Sequence, residues 1–180
     1  MKIVAAMCDK SRGIGMSNGI PWPYLPGDDI YYRTLVAPKH QDQRTANIKG
    51  RLTWISTKED ESKAPGVINI VITSKPKESL IPTNVHYTCS SLEDAHQYAL
   101  DCNIAEDDMW IMGGHDVYKA AIEHPFCSYL HLTRLFAEFE TDTSFPPFEH
   151  QFKLTKDPEV HKENGIKYQF EVYERMKTYQ

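Results

Sequence analysis

Residues 109–122 read M-W-I-M-G-G-H-D-V-Y-K-A-A-I. The apolar run Met109–Met112 predicts a short strand, and apolar positions at helical spacing over residues 117–122 predict a helix. Gly113 and Gly114 stand between the two. Glycines at the carboxyl end of a strand allow a close backbone approach, and the next helix presents free N–H groups to an anion. This unit predicts an α/β fold and a phosphate-binding turn, although a tight turn without a ligand gives the same pattern.

The rest of the chain continues the alternation of strands and helices. Apolar or alternating runs predict strands at residues 1–8, 67–73, 85–88, 129–133, 152–154 and 166–173. Helical spacing predicts helices at residues 26–36, 50–55 and 91–102, with connections at 9–23, 40–45 and 58–63. We therefore expect one α/β domain over residues 1–180. It should have a mostly parallel central sheet, helices on both faces and an antiparallel C-terminal hairpin.

The composition excludes several classes of protein. Of 180 residues, 41% are hydrophobic and 25% charged, which is typical of a globular domain. There are 20 Lys and Arg against 25 Asp and Glu, a net charge of -5, so nucleic-acid phosphates are not an expected partner. No apolar stretch approaches the roughly 20 residues that span a bilayer. Charged residues also interrupt the apolar start too early for a signal peptide, so we expect a cytoplasmic protein without a membrane partner.

The cysteines and histidines do not indicate a metal site. The four cysteines fall at irregular spacing with no Cys-x-x-Cys pair, and the eight histidines include no H-E-x-x-H motif. We expect no metal, and reduced thiols that pack as small core residues.

Residues 9–23 combine glycines with prolines and a tryptophan. Gly13-Ile14-Gly15 permits unusual backbone angles, whereas the prolines of Asn18-Gly19-Ile20-Pro21-Trp22-Pro23 restrict the backbone around them. Such a segment suits a lid over a ligand, with an inert surface loop as the alternative.

Asp28 lies in the first turn of the predicted helix at 26–36. An acid in this position is often no more than a favourable charge at the helix N-terminus. With Tyr32 one turn further on, Asp28 could instead hold a planar amidine-like edge through two hydrogen bonds. Asp29 points about 100° away around the helix, toward solvent or the rim of a pocket.

Taken in order, these blocks resemble the dihydrofolate reductase family. The resemblance is carried by Ile3-Val4-Ala5, G-I-G at 13–15, N-G-I-P-W at 18–22, Asp28, G-R-L-T-W at 50–54, I-N-I-V-I-T-S at 68–74, W-I-M-G-G-H-D-V-Y at 110–118, L-T-R at 132–134 and D-T-S-F-P at 142–146. It implies NADPH-dependent reduction of 7,8-dihydrofolate to 5,6,7,8-tetrahydrofolate, with hydride to C6 and protonation of N5. It also implies a monomer whose partner is a small pterin or folate.

The resemblance assigns catalysis to Asp28, Thr133 and Trp22. Asp28 would hold the 2-amino and N3 edge of the pterin and favour protonation of N5 through water. Thr133 would support the Asp28 carboxylate, and Trp22 would lie beside it. The implied substrate-binding positions are Val4, Ala5, Asp28, Asp29, Tyr32, Val67, Met112, Tyr118 and Thr133, with a purely structural role as the alternative for Met112.

The resemblance also implies an NADPH site. Arg51 is the natural contact for the 2′-phosphate, and Thr73, Ser74 or Lys75 would lie near the same group. The implied cofactor-binding positions are Ala5, Ile14, Gly15, Gly50, Arg51, Leu52, Thr53, Thr73, Ser74, Lys75, Gly113, Gly114, His115, Asp116 and Val117.

Three departures from the family concern the outer part of the substrate site. Val67 stands where the family has the arginine that binds the glutamate tail of folate, and losing such a pair costs about 2–5 kcal/mol. Asp29 replaces a large apolar residue, and Tyr32 replaces a phenylalanine. Arg33 or Lys63 is a candidate substitute cation. These departures leave two alternatives: a paralogue that reduces a dihydropterin or small C=N compound without the tail, or a non-catalytic binding protein of this fold.

Overall fold

The computed structural model describes residues 1–75, 79–80, 84–155 and 157–177, with the backbone alone at residues 59 and 60. The strands are β1 (Lys2–Cys8), β2 (Gly13–Gly15), β3 (Thr45–Gly50), β4 (Val67–Ile72), β5 (Tyr87–Cys89), β6 (Met109–Ile111), β7 (Tyr129–Leu135), β8 (Thr143–Ser144), β9 (Phe152–Leu154), β10 (Val160–Glu163) and β11 (Ile166–Arg175). The helices are α1 (Pro26–Val36), α2 (Arg51–Ile55), α3 (Glu59–Ser62), α4 (Leu92–Asp101) and α5 (His115–Glu123).

In the described part of the chain, one sheet of nine strands forms the centre of the molecule. Its order is β10-β11-β7-β1-β6-β3-β4-β5, and β9 pairs with β11. The pairs from β7 to β5 are parallel, whereas β9, β10 and β11 pair antiparallel. The predicted α/β fold, with a mostly parallel sheet and an antiparallel C-terminal portion, is confirmed.

Helices cover both faces of this sheet. Ile3 of β1 belongs to the large core cluster that includes residues of α4 and α5, whereas the next residue, Val4, packs with Val36 of α1. Because successive side chains of a strand point to opposite faces, α1 lies on one face and α4 and α5 lie on the other. None of the helices in the described ranges is long and apolar enough to cross a membrane.

Strand β3 is not predicted by the sequence pattern. The pattern indicates a surface connection at residues 40–45, but Thr45 is buried and begins this strand. The stretch T-A-N-I-K-G contains Asn47 and Lys49, both about as buried as the core at 4% exposure, so it lacks the apolar run that indicates a central strand. This segment is a strand because it pairs with β4 and β6 in the sheet, and not because of its composition.

Three other segments differ from the prediction at a finer level. The connection at 9–23 contains β2, which pairs with β8 as a separate two-stranded ribbon. The predicted charged loop at 58–63 contains the short helix α3, and the strand predicted at 85–88 lies at Tyr87–Cys89. These are short elements whose formation depends on partners distant in the sequence.

Candidate active site

Asp28 meets Thr133 at the centre of the site. Asp28 lies in the first turn of α1, and Thr133 lies on β7 beside Ala6 of β1. The Thr133 hydroxyl donates a hydrogen bond of 2.6 Å to Oδ1 of Asp28. Burial raises the pKa of the Asp28 carboxyl, the Thr133 hydrogen bond opposes this shift, and the nearby charges of Asp29 and Glu163 raise the pKa further. The result is a carboxyl group that holds its proton more tightly than an exposed aspartate.

A carboxylate from the other end of the chain fixes the start of α1. The Gly27 N–H donates to both oxygens of Glu163, at 3.1 and 3.0 Å. A Cβ at Gly27 would lie 2.4 Å from the Tyr168 hydroxyl and 2.8 Å from Oε1 of Glu163, so a larger residue here would force one of these side chains to shift. The sequence analysis did not identify Glu163, because nothing near it in the sequence indicates a partner 136 residues away.

Several of the predicted substrate-binding residues pack in two hydrophobic clusters of the structure. Val4, Met112 and Tyr32 share one apolar cluster. The Tyr118 hydroxyl donates a 3.0 Å hydrogen bond to the Val4 carbonyl, which joins α5 to β1. Ala5 packs against the main core. Met112 is 6% exposed, so it contributes to the core as well as lying beside Tyr32.

Trp22 is held away from solvent just before α1. It is 7% exposed and packs in a cluster with Cys8, Leu25 and Leu135, and its ring centroid lies 6.2 Å from that of Phe139. The structure therefore gives Trp22 a packing role beneath the first turn of α1. Its assignment to catalysis remains a prediction.

Two glycine-containing turns meet at the carboxyl ends of β3 and β6. The Gly50 N–H donates to the Gly113 carbonyl at 2.6 Å. A Cβ at Gly50 would lie 3.2 Å from Val117, and one at Gly114 would lie 3.4 Å from the Thr53 hydroxyl. Because α2 and α5 both begin here, their free N–H groups and positive dipole ends face the same region. Because glycines have no side chains, these turns leave room for a pyrophosphate, and the converging N–H groups could bind it. This is the ligand that the sequence predicts here.

The remaining predicted cofactor positions surround these turns. Gly50 pairs with Ile72, so Arg51 and Thr73 come directly after neighbouring strands at the same edge of the sheet. The Thr73 hydroxyl accepts from the Lys75 N–H at 3.0 Å. Ser74, Lys75, Leu52 and Asp116 are exposed, whereas Val117 is buried. Arg51 and Lys75 are thus placed on one edge, where a 2′-phosphate would meet positive charge.

The lid candidate is joined to α5 through β8. Gly15 of β2 pairs with Thr143 of β8, and the Asp142 carboxylate accepts from the Ser17 N–H at 2.8 Å. This backbone hydrogen bond holds the pKa of Asp142 below its ordinary value. The Ser144 carbonyl accepts from Nδ1 of His115, the first residue of α5, at 2.7 Å. Ile14 packs against the main core.

The structure also shows the surroundings of Val67, Asp29 and Tyr32, the three positions at which the chain departs from the family. Val67 begins β4 and is 5% exposed. The Asp29 carboxylate accepts from the Tyr24 hydroxyl at 3.1 Å and binds Nε of Arg33 at 2.9 Å, so Arg33 serves Asp29 rather than offering a separate cation. Lys63 is exposed just after α3. Tyr32 donates to the carboxylate of Glu61, a residue that the sequence analysis did not select.

A buried carboxyl and two glycine turns at the starts of two helices are features of an α/β enzyme with a phosphate-bearing ligand. Comparison with known proteins gives the family. A family model described as dihydrofolate reductase matches residues 1–175. The dihydrofolate reductase of Gallus gallus is 36% identical over 181 residues, covering 96% of this chain and 94% of its own length. That of Rattus norvegicus is 34% identical over 92% of each chain. A viral dihydrofolate reductase of Saimiriine herpesvirus 2 is 34% identical, over 93% of this chain and 82% of its own.

The chain belongs to the dihydrofolate reductase family, which consists of NADPH-dependent oxidoreductases of folate metabolism. The predictions of family, enzyme class and cofactor are confirmed.

Proposed function

We propose that the protein reduces 7,8-dihydrofolate to 5,6,7,8-tetrahydrofolate. The observation that carries the proposal is the buried Asp28–Thr133 pair at 2.6 Å, in a chain of this family. Asp28 would bind the 2-amino and N3 edge of the pterin, because one carboxylate can accept two parallel N–H bonds. Thr133 would orient the carboxylate, and the raised pKa of Asp28 would favour a proton at N5 through water.

The cofactor would lie along the glycine turns. When bound, NADPH supplies the hydride that reduces C6. Gly50, Gly113 and Gly114 leave room for its pyrophosphate, Arg51 and Lys75 would face its 2′-phosphate, and Ile14 and Gly15 would exclude water above the reacting rings.

Residues 1–180 are proposed to act as one domain and as a monomer. The four cysteines carry free thiols, which suits the reducing cytoplasm proposed as its location.

The test is the loss of NADPH absorbance with purified protein and dihydrofolate, in parallel with a dihydropterin that lacks the p-aminobenzoylglutamate tail. Turnover of dihydrofolate supports the proposal. Turnover of the tail-less compound alone supports the second candidate, a reductase for another dihydropterin, which the buried Val67 favours because a valine cannot bind a carboxylate. NADPH binding without turnover of either compound contradicts both candidates and favours a non-catalytic protein of this fold.

Val67→Arg tests whether position 67 faces the tail. We expect about tenfold tighter binding of dihydrofolate, since a new Arg–carboxylate pair of about 1.4 kcal/mol gives that factor. Binding of the tail-less dihydropterin should not change. Val67→Leu controls for the added bulk at a buried position, and an equal effect of the arginine on both ligands would place residue 67 away from the tail.

Thr133→Val tests the support of Asp28. Removal of the hydroxyl takes away a hydrogen bond to a charged acceptor, which contributes about 1.5–3 kcal/mol, so kcat/KM should fall about tenfold or more. The hydrogen bond lowers the pKa of Asp28, so the pH profile of kcat should move to higher pH in this variant. Thr133→Ser, which keeps the hydroxyl, should retain the original profile. An unchanged profile in the valine variant would separate Thr133 from the ionisation of Asp28.

A further inference from the structure

The turn between β10 and β11 consists of an exposed Asn-Gly pair. Asn164 has φ +48° and Gly165 has φ +79°, and the flanking residues Glu163 and Ile166 pair across the two strands. Both turn residues are exposed, and nothing lies within 4 Å of the position that a Cβ of Gly165 would take. Water therefore has free access to this turn.

The Asn164 side chain also binds the segment that leads into α1. Its Nδ2 donates a hydrogen bond of 2.8 Å to the Tyr24 carbonyl, 140 residues earlier in the chain. The preceding residue, Glu163, binds the N–H of Gly27. Two adjacent residues of the hairpin thus bind the backbone shortly before Asp28.

An Asn-Gly pair can modify itself, because asparagine is chemically labile and glycine has no Cβ to crowd its nitrogen. The backbone nitrogen of Gly165 attacks Cγ of Asn164 and forms a five-membered imide. The Cγ–Nδ2 bond breaks, and Nδ2 leaves as ammonia with the proton of the attacking N–H. Water then opens the imide at Cγ to give aspartate, or at the main-chain carbonyl to give isoaspartate, which has an extra methylene in its backbone. Water is the only co-reactant.

A second Asn-Gly pair in the chain provides an internal comparison. Asn18-Gly19 lies in the lid candidate and is exposed as well. The Gly19 N–H donates to the Met16 carbonyl at 2.9 Å, so the nitrogen that would attack is already bound. The Gly165 N–H has no backbone partner among the described residues. The attacking nitrogen is therefore more available beside Asn164 than beside Asn18.

Conversion of Asn164 would change the contacts that precede Asp28. A carboxylate cannot donate to the Tyr24 carbonyl, so two acceptors would face each other. Burial and the charge of Glu163 both raise the pKa of Asp28, and a further negative charge beside Glu163 acts in the same direction. Isoaspartate would also lengthen the backbone of a two-residue turn and move Glu163 away from the Gly27 N–H.

We propose that Asn164 is a site of spontaneous deamidation, and that its conversion to aspartate or isoaspartate lowers activity by loosening the hairpin from the start of α1. The modification follows from the turn and does not depend on which substrate the protein reduces. Its effect on activity rests on the proposed function, since that effect is transmitted through Asp28. Asn164 is thus a positioning residue, which acts through α1.

The experiment follows purified protein during storage in mildly alkaline buffer. Peptide mass spectrometry measures the replacement of NH2 by OH at Asn164 and at Asn18, and ion exchange isolates the converted protein by its added charge. We expect Asn164 to react first. Converted protein should show about fivefold lower kcat/KM for dihydrofolate, the factor for loss of one neutral hydrogen bond, and NADPH affinity within about twofold of the fresh protein.

Two substitutions at this position separate the reaction from the contact. Asn164→Asp installs the charged product at once, so it should show the lower kcat/KM without storage and a pH profile of kcat that moves to higher pH. Asn164→Gly tolerates positive φ and cannot react, so its kcat/KM should stay constant during storage. Asn18→Gly is the matched control at the other pair, and it should lose activity from its own starting value at the rate of the unaltered protein.

Three results would contradict these expectations. Conversion at Asn164 that is no faster than at Asn18, or an equal loss of activity on storage of Asn164→Gly, would overturn the modification site. Converted protein with the kcat/KM and pH profile of fresh protein would overturn the effect on activity. Absence of turnover in the fresh protein would instead refute the proposed function, while the mass spectra would still test the site.

Discussion

Asp28→Asn is expected to lower kcat for the dihydropterin substrate about a hundredfold or more near neutral pH, the range that general acid–base groups contribute. The amide keeps the size of the carboxyl and can still accept the Thr133 hydrogen bond, but it cannot take or release a proton. Binding of NADPH, which we propose to occur at the turns at Gly50 and Gly113, should be unchanged. Single-turnover kinetics and fluorescence titration with NADPH measure the two quantities separately.

The pH dependence of kcat is a second measurement that tests the role of Asp28. If the protonated carboxyl assists N5, kcat of the unaltered protein should fall as the pH rises through the raised pKa of Asp28, whereas the asparagine variant should lack this step. Asp42→Asn, which removes an exposed acid between α1 and β3, is the control for net charge. Normal turnover in the Asp28 variant would remove Asp28 from the mechanism.

The raised pKa of Asp28 also has a consequence for stability. The folded protein binds this proton more tightly than the unfolded chain does, so stability from this group is present below the unfolded pKa and is lost as the pH rises through the folded pKa. Asp28→Asn should therefore unfold at a higher temperature than the unaltered protein at neutral pH, and the difference should shrink in acid. A lower unfolding temperature at neutral pH would indicate that the charged carboxylate stabilises the fold.

Gly113→Ala is expected to have the second large effect. The backbone at Gly113 has φ +106°, and a Cβ would lie 3.0 Å from Cε2, Cζ and Oη of Tyr118. Tyr118 is 6% exposed and bound to the Val4 carbonyl, so it cannot move aside easily. Backbone strain and crowding together should lower the free energy of unfolding by about 2–4 kcal/mol. The shifted turn should also weaken NADPH binding about tenfold or more.

Gly165→Ala separates strain from crowding. Gly165 has φ +79°, but nothing lies within 4 Å of the position that a Cβ would take. This variant should lose about 1–2 kcal/mol from strain alone and bind NADPH normally. Urea unfolding and NADPH titration of both variants test the comparison. Equal losses of stability, or normal NADPH affinity in Gly113→Ala, would contradict the role assigned to the close packing at this turn.

The sequence predicted those parts of the molecule that rest on local patterns. The Gly113-Gly114 turn, the bounds of α1 and the antiparallel C-terminal hairpin can be derived from periodicity and turn residues close together in the chain, and each is present in the structure. Asp28 is indicated by its place in the first turn of α1 and Thr133 by the family resemblance, and the structure brings them into contact. Their chemical roles remain predictions.

The features that the sequence did not predict depend on distant partners. Lys49 is an ordinary surface residue by type, and only its position on a central strand buries it against Glu61. Glu61 lies in a charged stretch that is typical of a loop, so its selection required the contact with Tyr32. The same holds for Glu163, whose partner is a backbone N–H rather than a recognisable side chain.

The hydrogen bonds between Glu163 and the start of α1 link the proposed active site to a segment that is synthesised late. The proposed cofactor turns contain residues 50–53 and 113–117, all of which leave the ribosome before the β10–β11 hairpin exists. Asp28, the proposed catalytic acid, directly follows Gly27, whose N–H is bound by Glu163 of this hairpin, 136 residues later in the chain. A nascent or truncated chain that lacks this hairpin could thus assemble a nucleotide-binding surface without a competent acid. We therefore expect catalysis, unlike cofactor binding, to require the hairpin.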